Sequence, residues 1–536
     1  MQKNLILAVV LSSLVYIGWY SYIEKKMPQK APAAQQAQAA AVQAAPQPTA
    51  AAASPKNDLL LKEAQALLEE ARNESADLEK KGFNIPRRAE KLLVAIKAGK
   101  ADLLFYAPTA SLSSALYQGP VAPVELVPKS GRGFFETSFP ALFELKGRTA
   151  NTAAFSAKLP NGIALTKEFA ISPDNGMNSI RITATNVSGR AQILAPWELT
   201  VGPGLGTVKS EEKENAKLCK ADYTFTEAGR KHPTIKELKD EPAQHDWGWA
   251  GLNNRYFLAA LVGSNFPETR PVRRFSKVGE NEKTPELAIP VPAAELKPGE
   301  KRVWEAQFYL GPKDYPLLTK LGFGLDRAVD FGFFAPLAKL ANSALVYFHK
   351  VTGNYGVAIV ILSVIIQLLL TPLSYKSFKA MAVMKKIQPE MQAIQKKYKD
   401  DPKRMNTEVM DLYKRHGTNP LGGCLPMLLQ IPVFFALFTA LRNSWTLHGA
   451  PFVFWIKDLS AKDPFYVLPL VMGGIMFLQQ HLSPQTSDPS QAAMMKWMPV
   501  IFTFMFLTFP SGLVLYWLIN STWGFAQTMY LQKKLA

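Results

Sequence analysis

Cysteine is nearly absent from this chain of 536 residues: Cys219 and Cys424 are the two it has, in segments of very different character. A disulfide framework is therefore excluded, and no CxxC or mixed Cys/His spacing points to zinc. There is no P-loop, no HExxH and no G-x-S-x-G, and the glycine-rich GPGLG at 202–206 sits in strand-like sequence, a weak setting for a phosphate site. Acidic residues are missing from five apolar runs, 355–375, 421–441, 465–482, 497–510 and 512–531. A proton-coupled carrier or an ATP-driven pump thus lacks its expected groups.

What is present is split along the chain. Lys and Arg number 61 against 43 Asp and Glu, a formal charge of +18, and the hydrophobic fraction is 48%. Such a basic excess suits either nucleic acid or the cationic loops of a membrane protein, and the apolar runs decide for the membrane. Residues 1–26 hold an uncharged run, LILAVVLSSLVYIGWYSY, ending in aromatics with no small-residue cleavage site directly after it. An uncleaved anchor fits better than a signal peptide. Residues 27–56, rich in Ala, Gln and Pro, form a linker.

From 57 to 320 the texture is soluble. A charged helix is expected over 57–81, followed by short alternating runs broken at Asn161-Gly162 and at Pro173 to Gly176, with further strands at 255–263, 286–291 and 302–311. This reads as a large β-sandwich. Residues 321–353 are expected to carry an amphipathic helix in the membrane interface, with Phe333, Phe334, Leu337, Leu340, Ala341, Leu345 and Phe348 on one face. A five-span core then occupies 354–536. The run 497–510 is short for a bilayer, so its flanks, such as Met494 and Met495, must contribute or the bilayer must thin. The fold class is an α+β multi-domain membrane protein: a five-helix membrane core with an extra N-terminal span, plus the outer β-sandwich.

Orientation follows from basic charge. Between 376 and 415 stand eleven Lys and Arg against five Asp and Glu, which places this loop in the cytoplasm. Both termini then fall inside and the sandwich outside. The same loop, 376–417, has seams at Met381, Met384, Ile387 or Gln388, Met391, Ile394 and Tyr398, and at Met405, Val409 and Leu412. Asp401-Pro402 breaks and recaps the chain between them, predicting an antiparallel helical hairpin.

Inside the first core run, Ser363, Gln367 and Thr371 recur every four residues, a polar stripe on an apolar helix. Gln430, Thr503, Thr508, Tyr516 and Asn520 offer partners on other runs. An unsatisfied amide in hydrocarbon is costly, so Gln367 faces other helices or water. The stripe is either interhelical glue or the wall of a hydrated recess, and local pattern does not separate the two.

The segments NPLGGCLPMLLQIPVFFALF (419–438), APFVFWIKDLSAKDPFYVLPLVMGG (450–474) and FPSGLVLYWLIN (509–520) closely resemble the YidC/Oxa family of membrane protein insertases in its Gram-negative form. GWAGLNNRYFLAALV (248–262) is similar, more loosely, to that form's periplasmic domain. The resemblance implies a non-enzymatic insertase and chaperone of the inner membrane, with a hydrophilic groove open to cytoplasm and lipid. It implies nascent membrane proteins as clients, delivered by ribosome–nascent chain complexes, alone or beside the Sec translocon, with no nucleotide, metal or other cofactor. Ser363, Gln367, Thr371, Gln430, Tyr516, Trp517 and Asn520 are then the groove. The hairpin, with Met381, Met384, Lys385, Lys386 and Met391, is then the element that first meets the client. Gln367 stands where this family normally carries a cation. Two other classes remain: an enzyme using His232 and His245 in an epimerase-like sandwich, and a channel.

Overall fold

A computed structural model describes residues 92–535 except 129–131, 175, 228, 230–231, 264–265, 267–268, 279–281, 400, 418–424 and 483–488. The expected N-terminal span, the linker, the helix at 57–81 and Cys424 lie outside the described residues.

Alternation of buried and half-exposed side chains builds the first half. In the strand Ile163–Ala170, Ile163, Leu165, Lys167 and Phe169 point into the core while their neighbours face outward. Asn161-Gly162 turns the chain into that strand, with Gly162 at φ +84° and the Asn161 side-chain oxygen accepting from Ile163 N at 3.3 Å. Nine strands pair antiparallel in one sheet, in the order Thr234–Glu237, Lys220–Phe225, Trp249–Asn253, Phe257–Val262, Lys301–Pro312, Asn178–Asn186, Ile163–Ala170, Thr152–Lys158 and Glu144–Arg148. Two four-stranded sheets and a two-stranded one complete the described strands. Strands of all four sheets feed a common apolar core around Phe105, Phe155, Leu199, Phe257, Leu296 and Phe308. Each such buried side chain contributes about 1.5–3 kcal/mol.

Ten α-helices are described: α1 (Glu212–Leu218), α2 (Tyr315–Leu321), α3 (Ala335–Thr352), α4 (Tyr355–Lys386), α5 (Gln388–Lys397), α6 (Pro402–Arg415), α7 (Leu425–Arg442), α8 (Val467–Leu482), α9 (Pro489–Phe506) and α10 (Ser511–Leu535). Helix α3 begins later than the apolar pattern predicts. A short 3-10 turn at Leu325–Ala328 and Gly332 at φ +68° intervene, and Pro336 suits the first helical turn. Its apolar residues also divide between two sides. Ala338, Ala341 and Leu345 are buried against the molecule, whereas Leu340, Tyr347 and Val351 are exposed at 66%, 63% and 71%.

By length and apolarity, Tyr355–Ser377 within α4 is the one described helix able to cross a membrane, with a mean hydropathy of 2.5. Gln430–Arg442, Val467–Leu482 and Trp497–Phe506 are shorter apolar helices. Helix α9 starts at Pro489 and ends at Phe506, so it is about 27 Å long, and residues 507–510 of the apolar run lie beyond its end. Helix α10 packs on α4 and α8, and α3 on α4 and α7. Helices α8 and α9 approach so closely that a Cβ on Gly473 would collide with Thr503.

The two halves share buried surface. Trp249, Leu258, Val262 and Tyr309 of the strands cluster with Ala338 of α3 and with Ala436 and Ala440 of α7. Trp249 Nε1 donates to Gly324 O at 3.0 Å, and Lys313 Nζ donates to Ala328 O at 3.1 Å. Trp445, just beyond α7, joins the core of the strands, its ring 4.9 Å from Phe257 and 6.0 Å from Tyr117.

Candidate functional site

Gln367 lies near the middle of α4 with 8% of its surface exposed, and its Nε2 donates to Asn520 Oδ1 of α10 at 2.6 Å. One turn on, Thr371 Oγ1 donates to Gln367 O at 2.7 Å and accepts from Gln527 Nε2 at 2.8 Å. Two polar cross-links thus tie the first core helix to the last, at the spacing the stripe predicts. Ser363 makes no such link in its known bonds: it is fully buried and donates to Ile359 O of its own helix at 2.7 Å.

The Tyr516 phenol is 1% exposed and lies beside Asn520 and Gln430, which brings α7 into the same place. Asn520 Nδ2 and Trp523 Nε1 are nevertheless buried without a hydrogen-bond partner among the described residues, and the Tyr516 hydroxyl meets Asn520 and Gln430 without the geometry of a well-formed bond. These three groups stand at i, i+4 and i+7, on one side of α10. Each can donate a hydrogen bond, and a buried donor left unpaired costs about 1–3 kcal/mol. No Lys, Arg, Asp or Glu lies on α4 or α10 between Tyr355 and Thr371 or between Ser511 and Leu531, so the line is polar and uncharged.

Trp517 goes elsewhere. Its ring sits 4.9 Å from Phe434 of α7 and 5.9 and 5.3 Å from Phe502 and Phe506 of α9, an aromatic knot beside the polar line. Trp523 and Gln527 were not expected, although continuing the Tyr516–Asn520 spacing by one and two turns reaches both.

The predicted hairpin forms as α5 and α6. Ile387, Met391, Val409, Leu412 and Tyr413 make a small core of their own, with Met384 and Ile394 packed against it, and Tyr413 OH donates to Met391 Sδ at 3.3 Å. Asp401 caps α6, accepting from Arg404 N at 3.1 Å. Two of the predicted contact residues, Met384 and Met391, therefore face the hairpin's interior, while Lys386 is exposed. Met381 and Lys385 lie on the last turns of α4. His232 and His245 of the strand-rich half are both exposed, and His245 stacks on Phe225 at 4.3 Å.

Comparison with known proteins gives the family. The family described as 60Kd inner membrane protein matches residues 347–536, and the family described as YidC periplasmic domain matches residues 121–341. A protein named membrane protein insertase YidC from Geobacter metallireducens is 35% identical over 100% of this chain and 99% of its own length. One of the same name from Endomicrobium trichonymphae is 43% identical over 74% of this chain and 76% of its own. A crystal structure of an active YidC insertase with its first transmembrane domain resolved is 17% identical, covering 82% of this chain and 92% of its own, with a TM-score of 0.39. Proteins of this family are inner-membrane insertases with a periplasmic domain, not enzymes, and this chain belongs to the YidC family of membrane protein insertases.

Proposed function

We propose that this protein receives nascent spans in a polar recess between α4, α7 and α10 and releases them sideways into the lipid, acting as insertase and chaperone alone or with the Sec translocon. The observation that carries this reading is the uncharged line of Gln367, Thr371, Gln430, Tyr516, Asn520, Trp523 and Gln527, in which three buried donors lack a well-formed partner among the described residues. Permanent glue would pair those donors; a surface that exchanges partners with a passing chain keeps some in reserve. Trp517 and Ser363 support the helices that form the recess.

In this reading α4, α7, α8, α9 and α10 are the five spans, the strand-rich half is a periplasmic β-sandwich, and both termini are cytoplasmic, as the basic 376–415 segment requires. The α5–α6 hairpin, with the end of α4, meets the ribosome–nascent chain complex first. Energy comes from partition, about 25 cal/mol per Å² of client apolar surface moved from water to lipid, so no nucleotide is needed. The protein lowers the barrier for the polar flank.

Site-specific crosslinking from position 367 or 523 to a stalled nascent membrane protein tests this. Adducts are expected from both positions, and vesicles that insert clients without forming them would favour glue. Since Gln367 exerts no net Coulomb pull, Gln367→Arg is expected to raise insertion of clients with acidic flanks severalfold in proteoliposomes; an unchanged yield would show that charge at this point is irrelevant.

A further inference from the structure

A cavity of about 490 Å³ lies where the strand-rich half meets the ends of the helices, well away from the polar line of α4 and α10. Its walls come from three directions. Lys100 lies in the turn between the first two strands and Tyr117 on the third, Asp314 caps α2, and His349, Trp445 and His448 belong to the helical half. The volume falls in the range of small-ligand sites, roughly 300–1,000 Å³.

The lining mixes charge signs, which is unusual for a packing defect. Lys100 supplies an ammonium and Asp314 a carboxylate, close enough that the lysine charge acts on the acid. The rings are held in place: His349 stacks on Tyr355 at 3.7 Å, and His448 stacks on Trp445 at 5.2 Å while its Nδ1 meets Ser460 Oγ at 3.1 Å. Tyr117 packs edge-on to Trp445 at 6.0 Å.

Position narrows the ligand. The corner Gly353–Asn354–Tyr355, where α3 ends and α4 begins, forms part of the wall. With the exposed stripe Leu340, Tyr347 and Val351 turned to lipid, α3 lies along the surface and α4 enters the bilayer at that corner. The cavity then sits at headgroup depth. This placement rests on the orientation proposed above.

We propose that this cavity binds a phosphoethanolamine group, with Lys100 and the two histidines toward the phosphate and Asp314 and the aromatic rings toward the primary ammonium. A charge-assisted hydrogen bond to Asp314 needs an N–H, which a trimethylammonium lacks, and a glycerol headgroup offers only neutral hydroxyls, with no cation to pair with the carboxylate.

The test uses the full chain in nanodiscs of equal phosphatidylethanolamine, phosphatidylcholine and phosphatidylglycerol, with native mass spectrometry of the lipid retained. The ethanolamine lipid is expected at least fivefold above its bulk share. Lys100→Gln should return retention to the bulk ratio. Asp314→Asn, which keeps the helix cap, should remove the discrimination between ethanolamine and choline. Competition by soluble glycerophosphoethanolamine separates the sources: displacement only at high excess identifies the bilayer lipid, and displacement at parity identifies the free ester. Retention in bulk proportion, variants that keep the wild-type pattern, or crosslinks from Gln118, which also lines the cavity, to nascent chain instead of lipid would each overturn the assignment. Protease access to the strand-rich half in intact vesicles reports separately whether the orientation itself holds.

Discussion

Asn186 and Asn520 are asparagines held inside the same chain, and they are treated oppositely. Asn186, fully buried, gives its amide to Arg190 O and Leu296 O at 2.8 Å each and takes Ser188 N at 2.9 Å. Asn520 accepts a bond from Gln367 and keeps a buried amide with no well-placed acceptor among the described residues. Buried unpaired atoms do occur in the strand-rich half, at Thr137, Trp197, Thr207, Glu211, Asn215 and Arg270, but on separate elements. In the helical half those among the described residues are aligned on α10. The strand-rich half spends its polar groups on holding shape, whereas the helical half keeps a row of them available.

The largest expected effect would break the comparison by uncoupling the halves. Trp445→Ala removes an indole from the core of the strands and should cost about 3–5 kcal/mol, read as loss of hydrogen-exchange protection in Phe257–Val262. Retained protection there would mean the halves are energetically separate.

The next pair sharpens it directly. Asn520→Leu should reduce insertion about tenfold in proteoliposomes while changing thermal stability by less than about 2 kcal/mol. Asn186→Ala should do the reverse, losing about 1–3 kcal/mol of stability and leaving insertion intact. Equal effects of both on both readouts would erase the distinction.

A smaller effect concerns pH. Burial lowers the Lys167 ammonium to about 7, although its Nζ donates to Phe135 O and Glu136 partly compensates. In the unfolded chain the same lysine keeps its proton to about 10.5. Between those values the unfolded state binds more protons, so stability rises with pH. Lys313, lowered to about 8 by burial, adds in the same direction above that pH. Thermal unfolding of the full chain in detergent should therefore shift upward between pH 7 and 10. Lys167→Met should flatten the lower part of that rise and gain on the order of 1–3 kcal/mol at neutral pH. A variant with the wild-type slope would remove Lys167 as its source. Smallest is Asp401→Ala, expected to cost about 1 kcal/mol of hairpin stability, visible as faster amide exchange in the first turn of α6.

How much of this was legible in sequence depended on the kind of signal. The hairpin into Ile163 was readable because Asn-Gly is a turn chemistry independent of context, and Asp401-Pro402 for the same reason. The extent of α4 was not: the apolar run ends at 375 and the seam from Met381 to Tyr398 reads as one hairpin helix, yet Ala, Met and Lys are good helix formers, so α4 continues to Lys386 and the hairpin's first helix begins only at Gln388. The start of α3 was hidden because Phe333 and Phe334 continue the apolar pattern across a backbone turn. At the candidate site, Gln367 and Asn520 stood out as amides in apolar runs. Trp523 did not, because an indole looks apolar in a hydropathy pattern until its N–H is found without an acceptor. Trp517 shares a motif with Tyr516 but lies about 100° around the helix, among phenyl rings.

Helix α4 has a mechanical consequence. Its 32 residues make a rod about 48 Å long, against roughly 30 Å of hydrocarbon, with Gln367 in the membrane and the hairpin hung from its far end. Pro372 removes a backbone bond between the two, so the rod has one weakened joint, a single turn past the amide. A load applied to the hairpin reaches that joint before it reaches Gln367, making the rod a lever with its fulcrum set beside the cargo.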